Sequence, residues 1–108
     1  MLDINFSRRS EMALGWFNAS EAKEFGVTLA HFYMNRIPPG DSDGKNKSIA
    51  KKQEVINKLF LQLAQYKLEH KLNIYKKAQL GNVFKWTLKD AGYDPAFVDE
   101  LTKELMRV

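Results

Sequence analysis

Apolar residues recur along much of this chain at intervals of three and four, the mark of helices with one buried face. Phe25, Leu29, Phe32 and Tyr33 form the first such stripe and predict a helix from Ala19 to Arg36. Asn18 or Ser20 is placed to accept hydrogen bonds from the first turn, and Glu21 suits the positive end of the helix dipole. The stretch PPGDSDGKNK, Pro38 to Lys47, breaks the pattern and predicts a flexible loop, because prolines and glycines interrupt helical geometry. Beyond it, Ser48 can cap a second helix whose apolar positions are Ile49, Ile56, Leu59, Phe60 and Leu63. Lys51, Glu54, Lys58, Gln62, Gln65 and Glu69 face the other way.

The helical pattern could continue past His70, but one helix running to Ala91 would exceed ordinary lengths. A break is therefore expected near Leu72 to Ile74, with Asn73 capping a third helix over Ile74 to Ala91. Leu80, Val83, Phe84, Thr87, Leu88 and Ala91 gather on its apolar arc, with Lys85 and Lys89 opposite. Gly92 is a natural left-handed cap, Asp94 an N-cap and Pro95 a first helical residue. Tyr93 and Val98 are spaced as a hydrophobic staple, and Phe97, Leu101 and Leu105 make the last stripe. Near the start, SRRSEMALG predicts short helical turns capped by Ser7 and stopped by Gly15. Strand signals are nearly absent, since convincing alternation and tight hairpin turns are missing. The expectation is an all-α chain: four main helices in a small helical bundle, one domain over residues 1–108. Short connections should pack sequence neighbours antiparallel or as tight corners.

Composition narrows the chemistry. The 44% apolar and 28% charged residues are ordinary for a globular domain and argue against a disordered chain. Without cysteine there can be no disulfide, thiolate zinc site or thiol nucleophile, which fits a reducing cytosol and a cytoplasmic protein. The opening MLDINFSRRSEM has no apolar run behind its arginines and does not read as a signal peptide. No window is apolar enough for a transmembrane helix. The N-x-S triplets at Asn5, Asn18 and Asn46 are then read as chance matches.

Charge changes the picture more. The chain carries +4 overall, but Lys45 to Lys89 holds eleven lysines against two acids, a net +9. The remaining residues are acidic in sum. Either an anionic partner meets the basic middle, or the acidic ends fold back on it. In the third helix, lysines interleave with Tyr75 and Trp86, as they would on a nucleic-acid surface. Trp86 falls outside the apolar arc, beside Tyr75 and Gln79, and is expected to bury against the N-terminal segment or the last helix.

Familiar catalytic and metal motifs fail. Gly40 and Gly44 are one residue too close for a phosphate-binding loop, and Asn46 stands where Ser or Thr is needed. In a calcium-loop register starting at Asp41, Lys45 and Lys52 fall at ligand positions, and lysine cannot ligate calcium. His31 and Glu24 could share a helix face, but two ligands do not make a metal site. His70 falls within the apolar arc of the second helix and reads as a capping or core-edge residue. No metal, cofactor or catalytic residues are assigned, and the chain reads as non-enzymatic. The last helix exposes Asp99, Glu100 and Glu104, which phosphates would repel, so it is no DNA-recognition helix.

The expected function is a small binding or adaptor module for a macromolecule, either a protein with an acidic surface or a second copy of the chain. The alternative is a sequence-tolerant RNA- or DNA-binding protein. The candidate surface comprises Lys51, Lys52, Lys58, Tyr75, Lys76, Lys77, Lys85, Trp86 and Lys89.

Overall fold

In the computed structural model, which describes residues 19–41 and 49–108, four helices follow one another. They are α1 (Ser20–Arg36), α2 (Ile49–Glu69), α3 (Ile74–Asp90) and α4 (Pro95–Leu105), with a short 3-10 turn at Pro39–Asp41. No strand occurs among the described residues, and the fold is all-α. The predicted turns over Ser7 to Gly15, the Ser48 cap and most of the Pro38 to Lys47 loop lie outside them.

Local chemistry explains most of the boundaries. The Asn73 side chain accepts a 2.7 Å bond from the Lys76 amide and starts α3. At the other end, Gly92 adopts φ +99°, a conformation that costs a residue with a Cβ. The Tyr93 amide reaches back to the Leu88 carbonyl at 3.2 Å, and the Gly92 amide to Lys89 at 3.0 Å. This pair of bonds is a Schellman cap. Asp94 then accepts from the Phe97 amide at 2.9 Å, with Pro95 opening α4. At α1, Asn18, one of the two expected caps, lies outside the described residues, and the other, Ser20, does not hold the cap position. Ala19 holds the cap position without a side-chain bond, and Ser20 is the first helical residue.

The broadest contact joins α1 to α3, which are not sequence neighbours. The buried face of α1 is made of small residues, Ala22, Gly26 and Ala30, together with Leu29 and Tyr33. Phe25 and Phe32, expected in the central stripe, are only half-buried. The reason is steric. A Cβ added at Gly26 would stand 2.6 Å from the Leu80 carbonyl oxygen, so the two backbones touch where phenyl rings could not fit. On the α3 side, Leu80, Phe84 and Leu88 are fully buried, as the periodicity predicts. The α4 helix folds back through the Gly92 corner and adds Val98, Leu101 and Leu105.

The α2 helix packs beside this assembly, on α1 and more lightly on α4. The short α2–α3 connection does not produce a close-packed pair. Val55, Leu59 and Leu63 are the fully buried residues of α2. Ile49, expected in the core, is 80% exposed, and Ile56 and Phe60 are half-buried. The covered arc is rotated towards Val55 because α1 and α4 shield only part of the predicted stripe.

An aromatic group ties the end of α1 to α4. The Tyr33 ring lies 5.7 Å from Tyr93 and 5.9 Å from Phe97. The Tyr93 hydroxyl donates to the Ile37 carbonyl. The Tyr33 hydroxyl has no partner among the described residues, and burial, reinforced by Tyr93, pushes its pKa up to about 12.

Two outcomes follow for stability. Gly26→Ala should lower the urea midpoint, because overpacking against a backbone costs about 1–3 kcal/mol and outweighs the ~1 kcal/mol gain in helix propensity. An unchanged midpoint would mean that α1 and α3 do not approach at Gly26. Tyr33→Phe should leave neutral-pH stability unchanged or raised, since it removes an unpaired buried hydroxyl. Because the folded pKa lies above the ordinary value of about 10, the neutral phenol's contribution is complete below pH 10 and lost as pH rises towards 12. Phenolate absorbance should therefore show a late-ionising tyrosine that disappears in Tyr33→Phe.

Candidate functional site

The candidate lysines do not gather on one acid-free face. They are divided between α2 and α3, which diverge from their shared corner. On α2, Lys51 is exposed, and the half-buried Lys52 holds its ammonium 5.5 Å from the centre of the Phe97 ring. Lys58 pairs with Glu54 at 3.6 Å, both side chains being solvated, an arrangement worth little in stability. On α3, Lys76 borders a cleft of about 300 Å³ that also contains Glu21, Glu69, His70 and Lys71. Lys77 and Lys67 both donate to the Val108 carbonyl oxygen. Burial, and then the charge of Lys67, lowers the Lys77 pKa.

Farther along α3 the expected basic–aromatic cluster is present, with two corrections. Trp86 is 49% exposed rather than buried, since the last helix covers the Phe84 side of α3 and leaves the indole turned outwards. Lys85 and Lys89 place their ammonium groups 5.5 and 5.0 Å from the Trp86 ring, within cation–π range. Lys89, expected to be a solvated charge, is instead only 19% exposed at its side chain and bonds Asp99 of α4 at 2.8 Å. That bond to Lys89 holds the Asp99 carboxyl below its ordinary range, against the opposing effect of burial and with help from the charges of Lys89 and Lys85. Tyr75 is also partly exposed, about three turns away from Trp86 on the same helix.

A second surface carries apolar rather than basic chemistry. Leu61 and Leu68 are 69% and 83% exposed. Seven residues apart, they lie on one line along α2, opposite its buried arc. Beside them runs an open groove of about 350 Å³ between α1 and α2, lined by Phe25, Leu61, Gln62, Gln65, Tyr66 and Glu69. Its floor is an aromatic stack. Phe25 and Tyr66 lie 4.2 Å apart at 11°, and His70 continues the stack 4.4 Å from Tyr66. His70 is therefore exposed just beyond the α2 helix, not within its apolar arc. Burial, and then the charge of Glu21, raises the Tyr66 pKa. Gln65 bonds Glu69 at 2.8 Å along the groove's rim. The groove meets the polar cleft at Tyr66 and Glu69, so its apolar end runs into a mixed-charge end.

Leu61 and Leu68 were not among the residues singled out by periodicity. Their signal was available as two leucines at a seven-residue spacing on the polar side of α2. Among the described residues, no cluster of three or more His, Asp or Glu is placed to hold a metal. None of the described helices is long and apolar enough to cross a membrane.

The Lys89–Asp99 link has a direct readout. Its contribution to stability is present above the ordinary carboxylate range and is lost as pH falls through the depressed Asp99 pKa. An NMR titration should place the Asp99 midpoint below that of an ordinary aspartate, about 3.9. Lys89→Ala should move it upwards, whereas Lys58→Ala should not. An Asp99 midpoint indifferent to Lys89 would break the assignment.

Compared with known protein families, curated proteins and solved structures, the chain finds no match.

Proposed function

We infer that this chain is a non-enzymatic helical module that docks a partner protein on the outer face of α2 and the adjoining α1–α2 groove. The observation that supports this reading is the pair Leu61 and Leu68, exposed in line beside an apolar groove. A single exposed leucine is unremarkable, but aligned leucines beside a preformed groove are the usual form of a helix-docking surface. Covering a leucine side chain contributes about 1.5–3 kcal/mol before the costs of association. Lys58, one turn before Leu61 on α2, and Lys71, in the adjoining cleft, favour a partner with acidic groups beside its apolar anchors. A second copy of the chain is the other candidate occupant. The cysteine-free composition suits a cytoplasmic setting.

One observation favours a second reading. Trp86 stands half-exposed between Lys85 and Lys89, the beginnings of a surface for single-stranded nucleic acid. Against it, Lys89 is engaged by Asp99, and the rings of Tyr75 and Trp86 do not form a continuous platform.

The double variant Leu61→Glu/Leu68→Glu separates the readings. It should fold like wild type, because surface substitutions usually stay within about 0.5 kcal/mol. It should lose the proteins that wild type retains from nuclease-treated lysate, and oligonucleotide anisotropy should show only feeble binding for both proteins at physiological salt. Retention of the same proteins by the variant would refute the docking reading. Tight binding of a single-stranded oligonucleotide, with a log–log salt slope of about −0.7 per phosphate contact and abolished by Lys85→Glu/Lys89→Glu, would establish the second.

A further inference from the structure

We propose that the opposite flank of α2 is a separate docking groove, and that its occupant is a basic amphipathic segment of a partner protein. This groove, about 320 Å³, lies between α2 and α4. Ile56 and Phe60 form one wall, Phe97 and Leu101 the other, and Glu100 and Glu104 stand among the α4 lining residues. Ile49 lies on the same flank, about two helical turns before Ile56 and three before Phe60, and it is exposed. The apolar stripe that periodicity assigns to the core is thus only half-covered. Its uncovered part continues from the groove to the start of α2.

The volume falls at the low end of ligand-sized clefts, roughly 300–1,000 Å³, which suits a few anchoring side chains from a longer segment. Helical spacing of the wall residues matches a helix laid into the groove with anchors at i, i+4 and i+7. The charge selects the partner. Glu100 is exposed, and its side chain makes no ion pair or hydrogen bond among the described residues. Glu104 is bound to Arg107 at 2.9 Å but keeps 43% of its side chain exposed. The nearby cation, Lys52, sits over the Phe97 ring and does not line the cleft. Lysine or arginine on the incoming segment meets carboxylates along the α4 rim, and the Phe60 ring accepts aliphatic stems or a cation. An acidic segment would meet like charge. This assignment rests on α4 and does not depend on the Leu61–Leu68 face.

The test uses two labelled synthetic helical peptides with leucines at i, i+4 and i+7, one flanked by lysines and the other by glutamates. Fluorescence anisotropy should show that the lysine peptide binds wild type at least about tenfold more tightly, with affinity falling as salt rises. Glu100→Lys/Glu104→Lys should reverse that preference, and Leu61→Glu/Leu68→Glu should leave it intact. Glu100→Lys alone, which spares the Arg107 pair, should weaken the lysine peptide in the same direction if the double variant folds poorly. Equal affinity for the two peptides, no binding of the lysine peptide, or loss of binding only in the Leu61/Leu68 variant would overturn the proposal. So would a wild-type dimer in sedimentation equilibrium that Glu100→Lys/Glu104→Lys dissolves, since the occupant would then be a second copy.

Discussion

The approach of α1 to α3 at Gly26 is the constraint on which the rest of the structure depends. There the missing side chain lets one helix rest on the backbone of the other, at the Leu80 carbonyl. Close approach multiplies weak dispersion contacts, because every atom on both surfaces finds a partner at short range. It also determines which neighbours are excluded. Phe25 and Phe32 cannot occupy the seam, so they are displaced to its edges, where Phe25 becomes part of the groove floor. The close packing of one pair of helices therefore supplies the aromatic surface that faces the other.

The α2 helix is placed last in this arrangement and is the least spent on it. It is the longest helix, about 31 Å at 1.5 Å per residue, yet its fully buried side chains are Val55, Leu59 and Leu63 alone. A helix with so little tertiary cover depends more on its own local interactions. Those are present on its exposed side: Gln53 bonds Asn57 at 3.0 Å, Glu54 pairs with Lys58 at 3.6 Å, and Gln65 bonds Glu69 at 2.8 Å. Each is an i to i+4 contact of a few tenths of a kcal/mol. Such pairs let α2 persist while its two flanks remain open beside α1 and α4.

Local chemistry was legible in the sequence, and non-local geometry was not. Asn73, Gly92, Asp94 and Pro95 act within one turn of themselves, so their roles could be read from their neighbours alone. Periodicity likewise placed Phe84 and Leu88 in the core. It could say that Ile49, Ile56 and Phe60 share a side of α2, but not how far a neighbouring helix would cover that side. The same limit explains Trp86 and Lys89. Whether the indole is covered, and whether an acid reaches the lysine, depends on where α4 crosses α3. The α1–α3 pairing was hidden for a further reason: beside Leu29 and Tyr33, its buried face is made of Ala22, Gly26 and Ala30, which carry little hydrophobic signal. The exposed leucines, Leu61 and Leu68, were hidden by the converse, as apolar residues on a face whose other members are polar.

The basic middle of the chain is less a single electrostatic surface than a sequence count suggests. Divergence of α2 from α3 separates its lysines, Glu54 answers Lys58, and Asp99 reaches across from α4 to Lys89. At physiological salt, charges farther apart than about 8 Å are largely screened where they face water, so each group acts chiefly on what lies next to it. What survives is a local contrast: lysines around the outer end of α2 and carboxylates along α4. Solvated charges of this kind select partners and guide approach more than they hold a complex together. Lasting affinity must come from surface removed from water. Among the described residues, the apolar surface still available for that lies partly on α2, at Ile49, Leu61 and Leu68, and partly on α3, at Ile74, Tyr75 and Trp86.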